Sequence, residues 1–139
     1  MGDTGTTRAT QSGSTAGGGR LLNGVLWALQ ILLALVFAMA GIVKLVGDPA
    51  AVEMFGVIGV GQWFRYVVGV LELAGAVGVL IPRLSGLAAL GLACVMVGAT
   101  LTNVFVLDAS PLPTIGLVAV CALVAWGRRS KTRALLGGR

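Results

Sequence analysis

The chain alternates long apolar runs with short polar breaks, and those runs are too long and too continuous for soluble amphipathic helices. The first runs from about Leu21 to Val43, interrupted only by Asn23 and Gln30. About 20 apolar residues in a helix cross the hydrocarbon core of a bilayer, so this run suffices for a span. Ala38-Met39-Ala40 mimics a signal-peptidase site after a basic start, but the apolar run from Leu21 to Phe37 exceeds the usual h-region, and apolar character continues past the site. An uncleaved span is therefore expected. Gly47-Asp48-Pro49 breaks the helix; Asp48 can cap a new one with Pro49 at its first position, giving a short interfacial helix over about 49–55. Gly56, Gly59 and Gly61 then lead to Trp63. A second span is expected over about 64–81, ending at Pro82-Arg83, a third over 84–107 and a fourth over 112–127. Trp63 and Trp126 fall at span ends, where membrane-interface aromatics collect.

The ends of the chain differ from this middle. Residues 1–20 are mostly Gly, Ser and Thr, and are expected to form a disordered tail, because such a segment buries too little to offset its ordering entropy. Residues 128–139 form a basic tail expected to lie on the membrane surface. Four spans place both ends on one side. That side carries Arg8, Arg20, Arg83, Arg128, Arg129, Lys131, Arg133 and Arg139, against Lys44 and Arg65 on the other. The excess of Lys and Arg on the cytoplasmic side of membrane proteins then assigns both termini to the cytoplasm. The expected fold is an all-α membrane protein, a four-transmembrane-helix bundle with N and C termini cytoplasmic, in one domain over 21–127.

Composition agrees with this class and narrows the chemistry. The 139 residues are 57% hydrophobic and only 11% charged, whereas soluble domains carry about 25% charged residues. The net charge of +5 accompanies few aromatics and flanks apolar spans, which points to an anionic lipid surface and away from nucleic acid. Histidine is absent, which excludes His-ligated zinc, bis-His haem and Ser-His or Cys-His catalytic pairs. Cys94 and Cys121 each sit alone inside an apolar span, without C-x-x-C spacing, and read as small hydrophobes. No catalytic residue and no metal ligand set is expected.

Against this background Glu72 stands out. A charge near the bilayer centre costs about 2.5–3.5 kcal/mol on insertion scales, so a buried acid needs a cation, a proton or water. Helical rise puts Glu72 about 10 Å below the outer interface, and Thr100 and Asn103, which share a face of the third span, about 10 Å and 6 Å below it. Lys44, at the outer end of the first span, has a stem long enough to bend inward. Lys44, Glu72, Thr100 and Asn103 can converge in the outer half of the bundle, with Arg65, two turns before Glu72, as a second cation. Gly69, Gly75 and Ala76 flank Glu72 on one face, and Gly41 with Ala40 offers a matching small surface on the first span; such surfaces let membrane helices approach closely. Ser85, Ala89 and Ala93 form a similar ridge on the third span. The cluster reads either as glue that satisfies Glu72 or as the lining of an outward-facing cavity that accepts a proton, a quinone headgroup or a partner's side chain.

The pattern Phe37-x-x-x-Gly41-x-x-Lys44-Leu45, followed by Tyr66-x-x-Gly69-x-x-Glu72-x-x-Gly75-Ala76 and by Ala88-x-x-Gly91-Leu92 to Gly98-Ala99-Thr100, resembles the DoxX and DoxX-like membrane family. The resemblance covers about Leu21 to Trp126. It implies a four-helix membrane bundle and a role as accessory subunit of a membrane oxidoreductase linked to quinone or to thiol and oxidative stress, in a bacterial inner membrane, with quinone as the cofactor concerned and none held by the chain itself. Many relatives carry a His near the outer end of the third span, where this chain has Asn103, so a relay or metal role there does not carry over. Other readings from the residues are a membrane scaffold or assembly factor, and a small transporter working as a homo-oligomer.

Overall fold

The computed structural model describes residues 13–137, with side chains from Gly18 onward. All regular elements among them are helices: α1 (Gly13–Val46), α2 (Pro49–Ile58), α3 (Gln62–Leu80), α4 (Ser85–Phe105), α5 (Leu112–Gly127) and α6 (Arg129–Gly137). Three helical segments, Gly18–Val46, Gln62–Leu80 and Ser85–Phe105, are long and apolar enough to cross a membrane. The 16-residue α5 becomes a fourth candidate when joined to α6, from which it is bent by 63°. The chain is thus a helical membrane protein with three to four candidate spans.

The expected tail over residues 1–20 requires correction. Its first twelve residues lie outside the described residues, but Gly13–Arg20 continue α1 as helix. Once an apolar helix is nucleated, each further residue adds a hydrogen bond at little extra ordering cost, so the helix extends backward into polar sequence. The basic tail is likewise helical as far as Gly137, and residues 138–139 lie outside the described residues.

The interhelical turns follow their local chemistry. Gly47 ends α1 with φ of 78°, a conformation that side chains resist. Asp48 caps α2 by accepting from Ala50 N at 3.0 Å, with Pro49 in the first turn. Gly59, with φ of 81°, closes α2 in the left-handed conformation, its N–H bonding to Phe55 O.

α1 packs on α3, α3 on α4, α4 on α5, and α5 closes back on α1, while α2 lies against α3 and α1. Neighbouring helices run antiparallel. Gln30 reaches Val79 near one end of the α1–α3 pair, and Gly41 meets Gly69 toward the other. The two backbones touch there: a Cβ on Gly41 would sit 2.8 Å from Gly69 O and 3.1 Å from Leu73 N. Gly75 receives the Leu92 side chain, and a Cβ on Gly78 would lie 2.9 Å from Ala88 Cβ, which brings α4 close to α3 in the same way.

The core contains Leu33, Phe37, Ala76, Val79, Ala89, Leu92, Met96, Cys121 and Val124. Outside it, large apolar side chains such as Leu35, Met39, Val77, Leu101 and Leu123 are exposed, while Gln30, Arg65, Glu72, Ser85 and Arg128 are buried. That is the reverse of a soluble fold and suits a bundle whose outer solvent is hydrocarbon.

Gly41→Ala is expected to lower unfolding stability in detergent by about 1–3 kcal/mol, because the added methyl must push the α1 and α3 backbones apart. Gly116→Ala, which meets no atom within 4 Å, should leave it unchanged. Thermal or denaturant unfolding followed by circular dichroism reads both variants.

Candidate functional site

Lys44 lies in the last turn of α1, and its side chain bends inward: Nζ stands 2.9 Å from Oε2 of Glu72 and 3.5 Å from the Ala40 carbonyl. Glu72 is almost fully buried, with 2% of its surface exposed, at the middle of α3. The Gly41–Gly69 crossing one turn away brings the two helices close enough for the pair to meet. Among the described residues Lys44 is the cation at contact distance from Glu72, and it meets Oε2. Attraction in a low-dielectric interior is strong, but it offsets the desolvation of two charges only where hydrogen bonds complete the geometry.

Arg65 does not join this pair. It is also buried, but its guanidinium donates to the Lys44 carbonyl and, at 2.8 Å, to Gln62 Oε1, and stacks 4.3 Å from the Tyr66 ring centroid. It satisfies a carbonyl at the C-terminal end of α1, where the helix dipole is negative. Sequence spacing aimed Arg65 at Glu72; the approach of the α1 terminus gives it a nearer acceptor.

Thr100 and Asn103 separate in the same manner. The Thr100 hydroxyl lies 2.7 Å from Met96 O and 2.9 Å from the Thr114 hydroxyl, tying α4 to α5. Asn103 donates from Nδ2 to Ser110 O at 3.4 Å, holding the α4–α5 loop. Of the two, Asn103 shares a cavity with Lys44 and Glu72, and Thr100 does not line it. The small-residue positions Gly41, Gly69, Gly75 and Ala76 all lie at helix contacts.

That cavity has a volume of about 480 Å³ and is enclosed by α1, α2, α3, α4 and α5. Its wall is mainly apolar, with Phe37, Phe55, Phe64, Met96 and Leu117, and its polar groups are Lys44, Glu72, Thr102, Asn103 and Thr114. An apolar chamber of this size with a few converging polar groups is the usual form of a small-molecule site. It can hold a flat or chain-like apolar body and present a cation, an anion and an amide to a dipolar head. Among the described residues, no group of acids, cysteines or histidines is arranged to hold a metal ion.

A second polar cluster was not anticipated. Near the other end of the bundle Arg128 is buried, donating from Nε to Gln30 Oε1 at 2.8 Å and from Nη1 to Asn23 Oδ1 at 2.9 Å. Gln30, with no exposed surface, in turn donates from Nε2 to Val79 O at 2.7 Å. The clamp joins α1, α3 and the end of α5. A signal was present: Asn23 and Gln30, the polar interruptions of the first span, are seven residues apart and so share a face.

The pattern of the DoxX-like family matches residues 28–127, which include both Lys44 and Glu72 and all of α2 to α5. The chain belongs to the DoxX-like family. No curated protein and no solved structure matches it. In this DoxX-like chain the matched region contains the cavity and the ion pair, together with Gln30 from the second clamp.

Glu72→Gln, which strands the Lys44 ammonium, is expected to cost about 3–5 kcal/mol, and the paired Lys44→Met/Glu72→Leu variant to recover most of it. A double-mutant cycle in detergent, with unfolding monitored by denaturant titration, measures the coupling.

Proposed function

We propose that this DoxX-like protein is an accessory subunit of a membrane oxidoreductase, and that its cavity receives a quinone headgroup or a partner's side chain. The observation that carries the reading is the Lys44–Glu72 pair on the wall of an apolar chamber of about 480 Å³. The residues suit a quinone. The Lys44 ammonium and the Asn103 amide can donate to a ring carbonyl, Glu72 can accept from the hydroxyl of the reduced form, and Phe37, Phe55 and Phe64 offer ring contacts. A quinone would supply two-electron redox chemistry; the chain itself would orient the head and exclude water. Its lack of histidine and of paired acids in the spans favours an accessory role over catalysis by the chain alone.

The same proposal places four spans in a bacterial inner membrane with both termini cytoplasmic, supported by the asymmetry of Lys and Arg between the two ends of the bundle. Glu72 and Lys44 then open toward the non-cytoplasmic half. A scaffold role is the second reading, favoured by the direct contact of Glu72 with Lys44, which lets the pair serve as glue.

Gly98→Leu separates the readings, because Gly98 lines the cavity, a Cβ there meets no atom within 4 Å, and both members of the ion pair are retained. The variant should accumulate normally yet lower quinone reduction by membranes of the native host at least severalfold, with the oxidoreductase partner still recovered in mild detergent. Unchanged quinone reduction in both this variant and a deletion strain, with no oxidoreductase recovered, would falsify the redox reading.

A further inference from the structure

We infer that the notch between α6 and the α3–α4 turn is a binding site for the phosphodiester headgroup of an anionic phospholipid. This site is separate from the chamber at Glu72 and independent of the redox reading. The notch encloses about 240 Å³ and is lined by Pro82, Arg83, Lys131, Ala134 and Leu135. Arg83 comes from the turn that follows α3 and Lys131 from the first half of α6, so two cations from separate elements face one small volume. Both are exposed, and neither forms an ion pair with an acid among the described residues. The remaining wall is apolar, as suits a glycerol backbone and the tops of acyl chains.

The notch is held open by the fold. α6 turns 63° from α5 and is seated where α4 begins: Thr132 packs against Gly86, at which any Cβ would collide with the Thr132 hydroxyl and come within 3.1 Å of Arg128 O. Arg128, at the bend, is itself fixed to Asn23 and Gln30. The bend lies at interfacial depth, since Trp126 beside it is 62% exposed with Arg129 stacked 4.2 Å from its ring centroid. Leu135 and Leu136, further along α6, are exposed apolar residues suited to the same interface.

Charge selects the ligand. A phosphodiester brings one negative charge and oxygens that both a guanidinium and an ammonium can bind, and it arrives already confined to the surface where the notch opens. A zwitterionic headgroup carries a compensating cation that Arg83 and Lys131 repel. Basic pockets between membrane helices are a recurrent form of anionic-lipid site.

The test is native mass spectrometry of the full chain in mild detergent micelles doped with equal amounts of phosphatidylglycerol and phosphatidylcholine. Wild type should retain phosphatidylglycerol selectively. Losing both cations in Arg83→Gln/Lys131→Gln should weaken retention by roughly 25-fold, about fivefold for each charge. Ala134→Trp, which fills the notch at constant charge, should also abolish it. Arg20→Gln/Arg133→Gln removes the same net charge outside the notch and should leave retention within twofold of wild type. Equal loss in that control pair, equal retention of phosphatidylcholine, or displacement of the lipid by free glycerol phosphate at matching concentration would each overturn the assignment.

Discussion

Hydrocarbon offers no hydrogen bonds, so every polar group that enters it must be answered from within the protein. The arrangement of this bundle follows from that constraint. Lys44 answers Glu72, Arg65 answers the carbonyl end of α1, and Arg128 answers Gln30 and Asn23. α1 takes part in all three. Its two ends are fastened by different chemistry, an ion pair and a carbonyl clasp near Val46 and a guanidinium–amide network near Asn23, while the Gly41–Gly69 contact, one turn from the ion pair, presses it against α3. The polar groups thus set register, and the small residues set distance.

The same constraint separates the two cavities by character. The chamber at Glu72 lies between helices, has five helical walls and contains a buried charge pair. The notch at Arg83 and Lys131 lies on the exposed surface at the helix ends, where cations remain hydrated and desolvation costs little. A ligand of the first must meet a charge pair set in an apolar wall. A ligand of the second needs only to bring charge to a prepared surface.

Much of this was legible in the sequence, and the exceptions share a cause. Span existence follows from apolar length, and α2 follows from Asp48 and Pro49, because those signals are local. Lys44 and Glu72 could be paired in advance because charges inside the apolar runs are so few. Arg65 could not be assigned, since its acceptor is a backbone carbonyl on another helix and carbonyls have no sequence signature. Arg128 was concealed in a run of basic residues that reads as a solvated tail, and Thr100 was grouped with Glu72 by depth although rotation about α4 turns it to Thr114. Depth along a helix can be computed from rise per residue; azimuth relative to neighbours depends on crossing geometry that one chain position does not encode.

The shortness of α5 has a mechanical consequence for the surrounding lipid. Sixteen residues extend about 24 Å at helical rise, less than the roughly 30 Å of an average hydrocarbon slab. If α5 alone crosses as a fourth span, acyl chains beside it must compress or tilt to keep its ends covered. Elastic energy of that kind is smallest where the bilayer is already thin, so slab thickness enters the energy of such a crossing alongside its side-chain contacts.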